Sequence, residues 1–271
     1  MNRINKCFES LSQKNKKALI SYVVLGDPAK DVTLPVMHAL VDSGSDIIEI
    51  GVPFSDPTAE GPVIQRAHER ALENGSSLDE ALILVKKFRE TDVNTPVILM
   101  GYTNPIERMG YEKFIERMVV SGVDGVLTVD LPPEEAEVFN EQLRASNIEN
   151  IFLLAPTSNQ IRQKKVTNIA GGFVYYVSLN GVTGAANLDV DSVKDHVSSI
   201  RALTKLPICV GFGIKDGVTA RAVADVSDGV VVGSAIVNKI ADLAKLGELD
   251  PLIYAETVSV IIKDIRDALD K

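Results

Sequence analysis

The chain has 271 residues, of which 45% are hydrophobic, and a formal net charge of −9 at pH 7. This length suits one large α/β domain or two small ones, and the hydrophobic fraction is ordinary for a globular protein. The acidic balance argues against nucleic-acid binding, which depends on clustered basic side chains. No apolar run approaches the roughly 18 residues of a membrane-spanning helix, so we expect a cytoplasmic protein without a membrane partner.

The cysteines and histidines show no metal-binding pattern. Cys7 and Cys209 lie far apart in the sequence, and His38, His68 and His196 belong to no closely spaced cluster. Protein metal sites ordinarily need such clusters. We therefore predict no metal, a reducing compartment, and histidines that lie on the surface or pack between helices.

Short apolar runs alternate with segments of helical periodicity along the chain. In chain order, the predicted strands cover residues 19–25, 46–50, 96–100, 125–129, 150–154, 172–178, 207–211 and 228–232. The predicted helices cover residues 3–11, 31–43, 62–73, 77–91, 105–109, 111–121, 132–146, 159–168, 191–203, 217–226, 234–246 and 252–269. The strands are apolar on both faces, as parallel strands are when helices cover them on both sides.

The order of strand then helix, repeated about eight times, predicts an α/β fold. We expect a single (β/α)8 TIM-barrel domain over residues 1–271, with extra helices. A doubly wound open sheet is the alternative, because it has the same alternating order. At the helix ends, Ser77 and Glu80 have the spacing of a capping box, and helix 132–146 has an acidic start that suits the helix dipole.

Glycine-containing turns follow the last two predicted strands. Gly211, Phe212 and Gly213 close the seventh strand, while Gly233 and Ser234 follow the eighth and open a helix. Glycines let backbone N–H groups approach an anion, and a helix N-terminus favours negative charge. Since TIM barrels often bind phosphate at these two places, the pattern predicts a phosphate site. Tight turns without a ligand are the alternative.

Two carboxylates lie near the end of the second predicted strand. Glu49 stands among isoleucines, one residue short of the strand end, and Glu60 lies in the loop that follows. A carboxylate is costly to bury, and burial raises its pKa so that it can exchange protons near neutral pH. We predict that Glu49 and Glu60 act as general acid and base. A buried ion pair for Glu49 and an exposed loop position for Glu60 are the alternatives.

The sixth strand and the loop after it are a third candidate region. Tyr175 lies within the strand, where it can direct its hydroxyl toward a ligand or simply pack in the core. Residues 180–189 are rich in small side chains and contain Thr183 and Gly184. Such a segment can close over a site and exclude water, so we predict a lid.

Seven motifs together resemble the tryptophan synthase α subunit family. In chain order they are LISYVVLGDP, EIGVPFSDP, GPVIQ, MGYTNPI, GVTGA, VGFGI and VGSAIV. The resemblance extends over essentially the whole chain, and the combination is highly specific. It implies a TIM barrel that cleaves indole-3-glycerol phosphate to indole and glyceraldehyde 3-phosphate by a retro-aldol step, without a metal or an organic cofactor in this chain.

By this resemblance, the essential acid/base glutamate of the family falls on Glu49. It would assist protonation of indole C3 and take the proton of the glycerol hydroxyl as the C–C bond breaks. Glu60 would hold the indole N–H and stabilise the positive indolenine. The other matching positions are the active-site Tyr175 and the loop residue Thr183, the phosphate-binding Gly184, Gly213, Gly233 and Ser234, and Leu127 and Phe212 of the indole pocket.

Three positions depart from the family pattern. The family usually has aspartate where this chain has Glu60, which keeps the charge on a side chain one methylene longer. Because about 1 Å of misplacement can cost about 100-fold in rate, we expect the loop to have adjusted. In the indole pocket, Tyr22 replaces a usual phenylalanine and Met100 a usual leucine. The Tyr22 hydroxyl therefore needs a hydrogen-bond partner.

The resemblance also implies a partner protein. The family's α subunit works in an α2β2 complex and passes indole to a β subunit, which holds pyridoxal phosphate and makes tryptophan. Pro53, Asp56 and Pro57 match the loop that contacts the β subunit, although Asp56 beside a proline is also typical of a turn. Isolated α subunits of the family are poor catalysts, so we expect loop closure to depend on the partner.

Two other functions remain open at this point. One is a different phosphate-handling barrel enzyme, although the sequence lacks the lysine or other acid/base residues that such enzymes need at several strand ends. The other is a catalytically weak subunit whose main role is to activate a β partner, which the change at Glu60 keeps open.

Overall fold

Short parallel strands lie side by side and close into a barrel in the computed structural model, which describes residues 1–178, 189–211 and 213–271. The strands in these residues are β1 (Ala18–Val24), β2 (Ile47–Gly51), β3 (Val97–Gly101), β4 (Gly125–Thr128), β5 (Glu149–Leu154), β6 (Val174–Val177), β7 (Ile208–Gly211) and β8 (Gly229–Val232). Each strand pairs with its neighbours in chain order, and β8 pairs with β1. The predicted TIM barrel is confirmed, and the open-sheet alternative is wrong.

Helices surround the barrel and connect its strands. Those in the described residues are α1 (Arg3–Gln13), α2 (Thr33–Asp42), α3 (Pro62–Glu73), α4 (Leu78–Phe88), α5 (Thr103–Met109), α6 (Tyr111–Ser121), α7 (Glu137–Ala145), α8 (Gln160–Ile169), α9 (Val190–Arg201), α10 (Gly217–Ala224), α11 (Ser234–Lys245) and α12 (Pro251–Leu269). One helix, α1, precedes the first strand, and pairs of helices follow β2, β3 and β8. These are the predicted extra helices, since a minimal barrel has one helix after each strand.

Side chains alternate between the two faces of every strand. On β2, Ile48 and Ile50 point outward and pack under the helices, whereas Ile47 points into the barrel. Glu49 is two residues from Ile47 and therefore shares its inward face. The interior around it is apolar; its buried members are Ile4, Ile20, Ile47, Ile98, Leu127, Ile151, Phe173, Tyr175, Cys209 and Val231.

The first helix closes the N-terminal end of the barrel. Ile4 is fully buried and packs in the interior cluster with the side chains of the strands. A Cβ atom on Gly125 would meet the Ile4 side chain at 2.9 Å, and Phe8 packs against Phe173 with ring centroids 5.7 Å apart. This apolar closure leaves the C-terminal ends of the strands as the place for a ligand site.

Two predicted helix ends differ from the structure. Ser77 is the N-cap residue of α4, but its side chain makes no capping hydrogen bond. Glu80 instead pairs with a lysine of a neighbouring loop at 2.6 Å, so the capping box is wrong. The helix predicted over 132–146 begins only at Glu137. Pro133 keeps residue 132 out of the helical region, and residues 133–135 form a turn before the helix.

A buried ion-pair network joins the elements at the N-terminal end of the barrel. Asp124 is 3% exposed and lies just before β4. Its carboxylate accepts hydrogen bonds from Arg3 at 2.9 Å and Arg89 at 2.7 Å, and from the backbone N–H of Val97 at 2.9 Å. One carboxylate therefore ties α1, the end of α4, and the starts of β3 and β4 together.

We expect Asp124→Ala to lower the free energy of unfolding by about 3 kcal/mol or more, because it leaves the buried Arg89 guanidinium without its carboxylate. Urea denaturation followed by circular dichroism measures this loss. Arg3→Ala is the matched control: the Arg3 side chain is partly exposed, so its removal should cost no more than about 1 kcal/mol. Equal losses from the two substitutions would contradict a network centred on Asp124.

Candidate active site

A cavity of about 220 Å³ lies at the C-terminal ends of the strands. Its wall is mostly apolar, and Glu60 is the one carboxylate that the described residues contribute to it. The structure brings together residues of β1, β3 and β6 with residues of three loops that are far apart in the sequence. Seven predicted site residues lie in the wall: Tyr22, Glu60, Met100, Tyr175, Gly213, Gly233 and Ser234.

Among the other predicted substrate- and phosphate-binding residues, Leu127 is fully buried in the barrel interior and is not in this wall. Val129, two residues later and just past the end of β4, lines the cavity in its place. Thr183, Gly184 and Phe212 lie outside the described residues, as does most of the predicted lid. The contacts of these four residues with a ligand stay predictions.

Glu49 lies in the barrel interior beneath the cavity. It is fully buried, and it pairs in register with Tyr22 on β1. Neither of its carboxylate oxygens has a hydrogen-bond partner among the described residues. The alternative of an ion pair with lysine or arginine is therefore wrong. Glu49 lies inside β2 as expected, although two residues before the strand end and not one.

The surroundings of Glu49 favour its protonated form. Burial raises the pKa of this carboxyl to about 8, and the negative charge of Glu60 adds to the shift. A carboxylate without hydrogen bonds in an apolar setting is expected to keep its proton in this way. At neutral pH, Glu49 is thus an acid with a proton to give, and an effective base once that proton has left.

Glu60 lies in the loop of residues 52–61, between β2 and α3. It is half-buried, so a freely exposed position is excluded, and burial raises its pKa to about 7. Tyr102 holds the loop at two points: its hydroxyl accepts a hydrogen bond from the N–H of Ala59 at 3.2 Å, and its ring stacks on Phe54 with centroids 5.1 Å apart. These contacts keep Glu60 at the cavity wall.

Glycine-containing turns form another part of the wall. Gly213 has φ +80, a left-handed conformation that side-chain-bearing residues rarely adopt. Gly233 is the N-cap residue of α11, and Ser234 is the first residue of that helix. Free N–H groups at a helix N-terminus attract anions. The backbone here fits the predicted phosphate site, and phosphate binding itself stays a prediction.

Two tyrosine rings lie against glycines of the neighbouring strand: Tyr22 of β1 against Gly51 of β2, and Tyr175 of β6 against Gly211 of β7. A Cβ atom at Gly51 would collide with the Tyr22 hydroxyl, and a Cβ atom at Gly211 would collide with the Tyr175 hydroxyl. Both strand ends therefore need glycine, because the hydroxyls occupy the space of a side chain. Tyr175 packs in the interior cluster and also lines the cavity, so its two predicted roles do not exclude each other.

Two residues that the sequence did not single out support this site. Tyr102 holds the loop, and His68 on α3 approaches the Tyr22 hydroxyl at 3.4 Å. His68 is 2% exposed, so of the two expected positions, surface or packed between elements, this histidine takes the packed one. Helical spacing is a signal for its burial, because His68 follows the buried Ile64 by four residues on the inward face of α3.

The predicted partner-contacting residues share the loop of Glu60 but differ in exposure. Asp56 is exposed, Pro57 is half-buried and Pro53 is buried. Asp56 accepts a hydrogen bond from the Ser55 hydroxyl at 2.5 Å, which suits a turn residue. A partner can reach Asp56 directly, whereas contact with Pro53 would need the loop to move.

The remaining predictions concern metals, thiols and membranes. Within residues 1–178, 189–211 and 213–271, no cluster of histidine, cysteine, aspartate and glutamate is placed to hold a metal ion. Cys7 and Cys209 are free thiols. No helix in the same ranges has the length and apolar character to cross a membrane.

We expect Glu49→Gln to stabilise the fold increasingly as the pH rises. In the unfolded chain, Glu49 ionises near the ordinary pKa of 4.5, whereas in the folded chain it keeps its proton to about pH 8. Between these two pH values the unfolded state binds fewer protons than the folded state. The free energy of unfolding of the parent protein therefore falls as the pH rises. Glutamine does not titrate, so the free energy of unfolding of Glu49→Gln should not fall in this way. The difference in free energy of unfolding between the variant and the parent should therefore grow by on the order of a few kcal/mol as the pH rises.

Urea denaturation from about pH 5 to about pH 8 measures this difference. The control is Glu134→Gln, because Glu134 is exposed and its hydrogen bond with Lys165 lowers its pKa. The effect of that control on stability should be the same at every pH in the range. A constant difference between the parent and Glu49→Gln would mean that folded Glu49 is ionised.

The chain is similar to proteins of one family over its full length. Residues 8–258 match the profile of the family described as tryptophan synthase alpha chain. The tryptophan synthase alpha chain of Thioalkalivibrio sulfidiphilus is 54% identical over 270 residues, with 100% of both chains covered. The crystal structure of tryptophan synthase subunit alpha from Legionella pneumophila has a TM-score of 0.91 at 43% identity, covering 100% of this chain and 99% of that chain. This chain therefore belongs to the tryptophan synthase alpha chain family.

Proposed function

We propose that Glu49 and Glu60 carry out the alpha reaction of this family, the cleavage of indole-3-glycerol phosphate to indole and glyceraldehyde 3-phosphate. The observation that carries the proposal is the buried Glu49 carboxyl, which has no partner among the described residues and lies beneath a cavity with Glu60 in its wall. An unpaired buried carboxylate destabilises a fold, so its presence points to a chemical role. Family membership sets aside a different phosphate-handling barrel enzyme, and nothing in the described residues favours a purely regulatory subunit.

The proposed step needs one group that acts first as an acid and then as a base. Glu49, protonated because its pKa is raised to about 8, gives its proton to C3 of the indole ring. The bond from C3 to the glycerol carbon then breaks, and its electrons form the C2–C3 double bond of indole. The hydroxyl on that glycerol carbon becomes the aldehyde and gives its proton to Glu49, which returns to its starting form.

Glu60, in its ionised form, is proposed to accept a hydrogen bond from the indole N–H. Its negative charge stabilises the positive indolenine that exists after C3 is protonated. A pKa near 7 leaves a substantial ionised fraction at neutral pH. The proposed supporting residues are Tyr22, Met100, Leu127 and Phe212 around the indole ring, Tyr175 and Thr183 beside the glycerol, and Gly184, Gly213, Gly233 and Ser234 around the phosphate.

We further propose that the chain, as one barrel domain in the cytoplasm, works with a β subunit in an α2β2 complex. The crystal structure of tryptophan synthase from M. tuberculosis in its aminoacrylate-bound form has a TM-score of 0.87 to this chain at 30% identity. Asp56 is exposed on the loop that carries Glu60, and Pro53 and Pro57 flank it, so a partner on this loop would influence the site. The proton transfers above use only carboxylates of this chain, and pyridoxal phosphate is expected in the β partner.

We expect Glu49→Gln to lower indole release by about a hundredfold or more, because glutamine neither gives nor takes a proton at this pH. The assay follows indole formation from indole-3-glycerol phosphate, with and without an added β subunit. Binding of glycerol 3-phosphate, measured by calorimetry, should change less than about twofold, since the glycine turns are untouched. The exposed Glu134→Gln variant should keep full turnover.

Two outcomes of this assay would overturn different parts of the proposal. Indole release by Glu49→Gln at near the parent rate would remove the acid/base role of Glu49. No indole release by the parent chain in either condition would remove the proposed activity itself.

We expect Glu60→Asp to lower turnover by roughly tenfold to a hundredfold, although aspartate is the usual residue of the family. The shorter side chain withdraws the carboxylate by about 1 Å, while the contacts of Tyr102 with Ala59 and Phe54 hold the loop in place. Glu60→Gln is the matched variant: it keeps the length, loses the charge, and should lower turnover at least as much. A gain in turnover by Glu60→Asp would mean that the pocket has not adapted to glutamate.

A further inference from the structure

His68 contacts two separate parts of the site, and the proposed reaction gives this residue no role. The ring is almost fully buried on the inward face of α3. Its Nδ1 atom accepts a hydrogen bond from the backbone N–H of Phe54 at 3.2 Å, and its Nε2 atom lies 3.4 Å from the Tyr22 hydroxyl. One side chain thus touches both the start of loop 52–61, which carries Glu60, and the cavity wall at Tyr22.

The Phe54 contact decides which nitrogen of His68 carries the hydrogen. A backbone N–H can only donate, so Nδ1 must present its lone pair. Burial lowers the pKa of His68 to about 4, so the ring is neutral at pH 7. The single ring hydrogen therefore lies on Nε2 and points at the Tyr22 hydroxyl oxygen.

The Tyr22 hydroxyl consequently has a defined direction. Its oxygen accepts from His68, so its own hydrogen is free to point elsewhere. The hydroxyl lies over Gly51, two residues beyond Glu49 on the same inward face of β2. Burial, and after it the charges of Glu60 and Glu49, raise the pKa of Tyr22, so the hydroxyl keeps its hydrogen at neutral pH. The chain thus presents a hydrogen-bond donor at the cavity wall, where the charges of both carboxylates act on it.

We infer that His68 is a positioning residue for the proposed reaction, on which this inference rests: it fixes the Tyr22 hydroxyl as a donor that faces the cavity, and it anchors the loop of Glu60. Phenylalanine at position 22 would offer His68 no hydroxyl to orient, so the orienting role depends on the Tyr22 hydroxyl.

The test is a double-mutant cycle on kcat for indole release. Asparagine at position 68 places its side-chain oxygen near the position of Nδ1, so His68→Asn keeps the acceptor for Phe54 and loses the donor to Tyr22. We expect His68→Asn and Tyr22→Phe each to lower kcat about threefold to tenfold, the worth of one neutral hydrogen bond, with little change in KM. The double variant should fall no further, because both changes remove the same contact.

A merely structural role for His68 predicts different results. In that case the two losses would multiply in the double variant, and the inference would be overturned. The matched control is His38→Asn, because His38 lies on α2 and stacks on Phe88, outside the cavity wall. That control should leave kcat unchanged.

A second variant keeps the test decisive if His68→Asn does not fold. Glutamine at position 68 places its side-chain nitrogen near the position of Nε2, so His68→Gln restores the donor to Tyr22. It does not restore the acceptor for Phe54, so the loss of kcat in His68→Gln alone reports the loop contact. Adding Tyr22→Phe to His68→Gln should still lower kcat by about threefold to tenfold, because the donor to Tyr22 is kept. No further loss on that addition would overturn the orienting role of His68.

A final measurement does not depend on the proposed activity. Nitrogen NMR of histidine-labelled protein should show His68 as the Nε2–H tautomer at neutral pH, and the chain has only 3 histidines to assign. An Nδ1–H tautomer would overturn the inference even in an active enzyme. An Nε2–H tautomer in a parent chain that releases no indole would instead overturn the proposed function.

Discussion

The carboxyl group of Glu49 lies inside an apolar barrel without a hydrogen-bond partner among the described residues, and the rest of the site follows from this constraint. An ion is poorly tolerated in such a place, so the group rests in its neutral form. A second negative charge, on Glu60, makes ionisation less favourable still. In the proposed reaction, Glu49 therefore begins by donating a proton and ends by taking one back.

The alternation of side chains along the strands makes this burial possible. Ile47 and Glu49 face inward, while Ile48 and Ile50 anchor β2 to the helices from outside. The packing of Ile48 and Ile50 against the helices holds β2 in place and does not depend on which side chain lies at position 49. Stability and chemistry thus use different faces of the same short strand, which is how a TIM barrel tolerates a destabilising group in its centre.

Much of the fold and part of the site could be predicted from the sequence. Apolar runs and helical periodicity are local properties, so the eight strands, the barrel and the glycine turns at Gly213 and Gly233 were predictable. Contacts between distant segments were not. The absence of a partner for Glu49, the burial of His68 and the place of Val129 rather than Leu127 in the wall depend on how separate elements meet.

One of the two errors at helix ends has a similar origin. Ser77 and Glu80 have the right spacing for a capping box, yet a lysine on a neighbouring loop offers Glu80 an ion pair, and this tertiary contact overrides the local motif. The late start of α7 has a partly local reason, because Pro133 keeps residue 132 out of the helical region and a turn at residues 133–135 follows.

The closure of the barrel by α1 has one more consequence. Because Ile4 packs in the interior cluster at the N-terminal end of the barrel, access to Glu49 is from the C-terminal ends of the strands. A molecule that reaches Glu49 enters at that end, and its fragments leave at the same end. The loop with Asp56, which is exposed to solvent, forms part of this entrance. A protein bound at the entrance would thereby control the exit of both fragments without contacting Glu49.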